Sequence, residues 1–139
     1  GRKTYEIFAA YWPQQGADDP INRARKYVVS NGVVQTDWQE TVQISGDVVP
    51  QLKRLKAQDG PMLQVHGSSN LLQTLLANDL VDALWLKIFP VTLGKGKRLF
   101  GEGTIPAAFR LAVSTISPGG VIIASYNRDG EVGLGSFAA

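Results

Sequence analysis

A chain of 139 residues that is 44% apolar and 19% charged can build one core and is too apolar for disorder. Its 14 basic and 12 acidic residues leave a net charge of only +2, which argues against a dedicated nucleic-acid binder with a concentrated basic face. The absence of cysteine and the single histidine exclude disulfides, thiol catalysis, and thiolate or histidine-rich metal sites.

In chain order, Tyr5, Phe8, Ala9 and Trp12 recur at helical spacing, which predicts a helix over residues 3–11 stopped by Pro13. QQGADDP, 14–20, reads as a loop, KYVVS, 26–30, as a buried strand, and TVQIS, 41–45, as a second strand. GDVVPQLKRLK, 46–56, predicts a helix with Asp47 as N-cap, Pro50 in its first turn, and an apolar stripe of Val49, Leu52 and Leu55. After the turn DGP, 59–61, a strand is expected over 62–66 and a helix over 69–78 with Leu71, Leu72, Leu75 and Leu76 inward. ALWLKIFPV, 83–91, reads as a long strand whose Trp85 and Phe89 pack on one face. LGKGKRLFGEG, 93–103, reads as a glycine-rich loop. Residues 109–117 and 120–126 read as a hairpin around Pro118-Gly119-Gly120. This order predicts a single α/β domain over 1–139, its mixed sheet mostly parallel, flanked by helices and closed by an antiparallel C-terminal hairpin.

Three places share one physical feature. GRKT, 1–4, puts a glycine, two cations and a hydroxyl at a helix start; VHGSSN, 65–70, puts a glycine and hydroxyls at another; VVSN, 28–31, ends a strand with a hydroxyl. In open α/β sheets ligands lie beyond the C-terminal ends of parallel strands, where helix N-termini offer unpaired N–H groups to anions. Two such helix starts can hold a diphosphate between them, and Arg2 or Lys3 can reach a further phosphate. Each place also has a plain structural reading. Gly67 can be a tight turn with Ser69 as N-cap, Arg2 and Lys3 solvated charges, and Ser30 a hydroxyl bonded to nearby backbone. His66 suits either a general acid or base or a hydrogen-bonded histidine closing a strand. GKGKRLFGEG lacks the spacing and the following helix of a phosphate-binding P-loop. No Ser-His-Asp set can be assembled.

Taken together, these segments resemble a known family. GRKTYE is similar to the G-R-x-T-x-E segment of dihydrofolate reductase-like proteins, and KYVVSN to their next strand. LQVHGSSNLLQTLLANDLVDALWLKIFPVTLGKGKRLF, 63–100, resembles the signature of the reductase domain of riboflavin biosynthesis, the C-terminal domain of a bifunctional deaminase-reductase. GEVGLGSF, 130–137, looks like that group's C-terminus. The resemblance spans nearly the whole chain in the right order. It implies a dihydrofolate reductase-like fold and an NADPH-dependent reductase. Gly1, Arg2, Lys3 and Thr4 would meet the diphosphate and the 2′-phosphate. Ser30 and Asn31 would lie by the adenosine phosphate, and Gly67, Ser68 and Ser69 on the other side of the diphosphate. Two departures stand out. His66 and Gly-Ser replace an acidic residue and a glycine pair, and relatives carry a strand and helix ahead of GRKT, so an N-terminal piece is expected to be missing.

The resulting expectation is hydride transfer to a pteridine- or ribosylaminopyrimidine-type heterocycle, with His66 near the nicotinamide. The alternative is a non-catalytic nucleotide- or ligand-binding module on the same fold. Further expectations are a homodimer through the C-terminal strands 109–126, a cytoplasmic location, and neither nucleic acid, membrane nor metal as partner.

Overall fold

The structure, a computed structural model, describes residues 1–35 and 37–135. The chain forms two compact units, Gly1–Thr74 and Leu75–Ala139.

In the first unit, helix α1 spans Arg2–Tyr11. The helical spacing of its apolar residues places Tyr5 in a core with Val28, Val34 and Trp38, against which Phe8, Ala9, Trp12 and Ile21 pack. Pro13 ends the α-helix but not the winding. It opens a 3-10 turn over Trp12–Gln15, where the missing N–H of proline is harmless. A short helix α2, Pro20–Arg23, follows. It lies at the edge of the predicted loop, and its signal is plain in hindsight: Asp19 accepts a bond from the Ile21 N–H at 2.9 Å, and proline stands at the first helical position.

Strands β1, Lys26–Val29, and β2, Thr41–Ile44, pair in parallel, in register from Lys26 with Thr41 to Val29 with Ile44. Asn22, 2% exposed, ties this unit together. Its Nδ2 donates to the carbonyls of Trp12 and Gly16, both at 2.7 Å, and its Oδ1 accepts from Trp38 Nε1 at 2.8 Å. Its own carbonyl accepts from Lys26 Nζ at 2.7 Å. A buried amide whose two N–H groups and oxygen are all hydrogen-bonded specifies one arrangement of the segments it joins. Helix α3, Val48–Lys56, starts after Asp47, which makes no side-chain capping bond. Gln51 Nε2 instead ties the helix start to the preceding loop, donating to the carbonyls of Ser45 and Asp47 at 2.7 and 2.9 Å. Val49, Leu52 and Leu55 are half-buried.

The strand expected at 62–66 does not form. Residues 62–68 carry no regular secondary structure, and Met62, Leu63 and Val65 are exposed. A strand exists only through a neighbour's hydrogen bonds, and none of the described residues supplies them. For the same reason the parallel share of the fold is smaller than expected: β1–β2 is the parallel pair among the described residues.

Helix α4, Ser69–Ala77, begins in the first unit and ends in the second, with Leu75 and Leu76 buried. Its end is a Schellman motif. The Leu80 N–H bonds the Leu75 carbonyl at 2.9 Å, the Asp79 N–H bonds Leu76, and Asp79 takes a left-handed φ of 51°. The second unit then forms a three-stranded antiparallel sheet in the order β3–β5–β4, from Ala83–Ile88, Phe109–Ile116 and Ile122–Arg128. β4 and β5 make the expected hairpin, closed by Ser117 N–H to Val121 carbonyl at 3.0 Å and by Val121 N–H to Ser117 Oγ at 3.1 Å. β3 stops before Phe89 and Pro90. Leu84 and Ala124 lie on its buried face, while Trp85, 69% exposed, and Phe89, 58%, are in solvent rather than packed together. The segment 130–137 runs past the described residues at Ser136 and Phe137.

Candidate active site

Two helix N-termini meet at the glycines singled out by the sequence. α1 begins at Gly1, whose carbonyl accepts from the Tyr5 N–H at 3.2 Å. α4 begins beside Ser68, whose carbonyl accepts from the Leu72 N–H at 3.0 Å, so Ser68 rather than Ser69 is the N-cap. The two starts lie in contact. A Cβ at Gly1 would lie 3.0 Å from the Ser68 Cβ and would overlap its hydroxyl. A Cβ at Gly67 would lie 3.7 Å from the Thr4 side chain. Glycine at position 1 is therefore a requirement of close approach between two chain segments.

The backbone at this junction is unusual. Gly67 has φ +132°, a region that essentially only glycine enters, and Ser68 has φ +69°. A left-handed serine costs about 1 kcal/mol. A left-handed residue followed by a helical one turns successive N–H groups toward one side, the concavity that binds anions in phosphate loops. Two helix starts and this turn thus gather free N–H groups and partial positive charge at one place. The hydroxyls of Thr4, Ser68 and Ser69 stand beside them, all half-buried.

The remaining expected residues are placed differently. Arg2 and Lys3 are exposed at the first turn of α1, and Arg2 Nη1 is ion-paired with Glu6 at 3.1 Å. That pair is exposed on both sides, so it is worth little and releases Arg2 readily to an anion. Ser30 and Asn31 belong to their own turn. Ser30 Oγ bonds the backbone of Gly32 and Asn31 Oδ1 accepts from the Gly46 N–H at 2.9 Å. His66 is exposed, with its ring 6.1 Å from that of Phe8 in a tilted contact. Among the described residues no group of three or more His, Asp or Glu is placed to hold a metal ion. No helix among them is long and apolar enough to cross a membrane.

Sequence reasoning missed the contact between Gly1 and Ser68 and the strained φ of Ser68. Neither has a signal in residue type, because serine is not the residue expected at positive φ.

Residues 1–123 match the model of the RibD C-terminal domain family. The chain is 26% identical over 137 residues to "Uncharacterized protein YyaP" of Bacillus subtilis strain 168, covering 94% of this chain and 72% of that protein. It superposes with a TM-score of 0.72 on the crystal structure of a "Putative riboflavin biosynthesis protein" from Shewanella sp. PV-4. That protein is 24% identical, and the match covers 93% of this chain and 71% of that one.

Proposed function

The chain belongs to the RibD C-terminal domain family, and from that premise we propose that it is an NADPH-dependent reductase of a small heterocycle of the pteridine or ribosylaminopyrimidine type. The family carries a reductase-like role. The finer reading rests on one observation: the starts of α1 and α4 converge through Gly1, Thr4, Gly67 and Ser68. The space that a Cβ would fill, the consecutive N–H groups and the hydroxyls fit a diphosphate.

Gly1, Thr4, Gly67, Ser68 and Ser69 would hold the diphosphate of NADPH. Arg2, leaving Glu6, and Lys3 would meet the 2′-phosphate with charge-assisted bonds. Ser30 and Asn31 are the farther candidates, because reaching an adenosine phosphate requires them to give up turn bonds. NADPH, when bound, supplies the hydride; the protein's part is to position it and to shape the field around the acceptor. His66 stands one residue from the cradle and offers a proton donor there.

The test is titration with NADPH and, separately, NADH, followed by quenching of the three tryptophans. We expect NADPH to bind more tightly, Arg2→Ala to lose about tenfold in NADPH affinity with little change for NADH, and Gly67→Val to abolish binding of both in a folded protein. Equal affinity for the two nucleotides, unchanged by Arg2→Ala, would remove the 2′-phosphate contact. The absence of binding by a folded wild-type chain would remove the reading.

A further inference from the structure

We propose that the second unit carries a binding pocket for a small aromatic molecule with one hydroxyl or amino substituent, its ring held between apolar walls and its substituent bonded to Thr104. None of the pocket's residues belongs to the nucleotide cradle, and the proposal does not rest on NADPH.

The first observation is the space itself. A cavity of about 220 Å³ lies between the end of α4 and the segment that leads into β4. Leu76, Val81, Phe100, Ile105, Ala107 and Phe109 form its apolar wall. Leu76 is buried, while Phe100 is 50% and Ile105 37% exposed, so the floor is covered and the rim is open. An apolar cavity of about 150 Å³ already takes benzene, and the space here takes a ring with a substituent.

The second observation is Thr104, which also lines the cavity. Its Oγ1 is buried and has no hydrogen-bond partner, the one such side-chain atom found among the described residues. A buried hydroxyl left unpaired is disfavoured, and such groups are rare in folded chains. Valine has nearly the same shape and would sit here without that cost. Water is a poor partner in this place. A buried water typically makes about three hydrogen bonds. The polar side chains on the wall are Thr104 and Asp79, and the Asp79 Oδ1 is already taken by Arg128 Nε at 3.0 Å. A ring with one polar group matches this inventory: an apolar body on apolar walls and one bond to one hydroxyl. Because a threonine hydroxyl both donates and accepts, a phenolic hydroxyl and an aromatic amine are equally served.

The third observation is the frame that keeps the cavity from closing. Besides its bond to Asp79 at the end of α4, Arg128 donates from Nη1 to the Ala108 carbonyl at 3.3 Å. The same carbonyl accepts from the Asp129 N–H at 2.8 Å, and the Ala108 N–H donates to Gly130 at 3.1 Å. The Arg128 guanidinium also lies 5.9 Å from the centre of the Phe109 ring. The end of α4 and the approach to β4 are thus both fastened to β5 and the turn after it. Collapse of the cavity would break these bonds, so a ligand meets walls that already stand in place.

Phenol and toluene test the pocket, since they share a ring and differ in the hydroxyl. Amide NMR titration of the whole chain reads both the place and the affinity. We expect phenol to shift the amides of residues 76–81 and 100–109 saturably and to leave those of β1 and β2 unmoved. Thr104→Val should bind phenol about tenfold more weakly than the wild type and toluene no more weakly. Without ligand, that variant should melt about 3 °C higher, because the unpaired hydroxyl is gone. Thr104→Ser keeps the hydroxyl and should keep the phenol affinity. The absence of a saturable phenol shift at these residues overturns the proposal. So does an equal loss of phenol and toluene in Thr104→Val, or a loss in Thr104→Ser as large as in Thr104→Val, which would assign the effect to packing. A lower melting temperature for Thr104→Val would mean that the hydroxyl is already bonded and also counts against the pocket.

Discussion

Ser68 shows the trade that a single residue can record. A serine at φ +69° is less stable there than glycine would be, yet its hydroxyl and its carbonyl both sit at the junction of two helix starts. Ser68→Gly should therefore raise the unfolding free energy by about 1 kcal/mol in urea and weaken NADPH binding several-fold. A variant that is more stable and binds equally well would mean that the hydroxyl has no part in the cradle.

Helices and strands differ in how much of them could be read in advance. α1, α3, α4 and the β4–β5 hairpin were legible because their signals are local: spacing, caps and a Pro-Gly-Gly turn. α2 was equally local, yet four residues leave no periodicity to see, only the cap. Asp19→Ala tests that cap. It should cost about 1 kcal/mol in thermal or urea unfolding, and a loss under a few tenths would show that Pro20 alone sets the turn. The run at 62–66 failed for the opposite reason. Its residues favour a strand, but pairing is a property of two segments, and composition names only one of them. Trp85 and Phe89 failed similarly, since a strand's pattern gives two faces without saying which is covered. Of the candidate site, glycine and serine positions were legible as a helix start, while the meeting of Gly1 with Ser68 required the fold.

At the scale of the molecule, the second unit leaves one face of its sheet to solvent. Trp85, Val113 and Ile123, the last 40% exposed, lie along it, while Ala124 and Leu84 are buried on the other. β4 is exposed along its whole length from Arg110 to Ile116. Apolar surface of this kind is uncommon on a monomer, and a homodimer through strands 109–126 would cover it. Sedimentation equilibrium should give twice the chain mass at micromolar protein, and Trp85→Glu should halve it. A monomeric mass independent of concentration would count against the pairing. The first unit closes locally around one side chain. Asn22 draws its partners from between Trp12 and Gln39, so its network can close once the chain as far as Gln39 has left the ribosome. Synthesis would then deliver the α1 half of the nucleotide site already set, and the Gly67 half would arrive later, threaded onto a finished template.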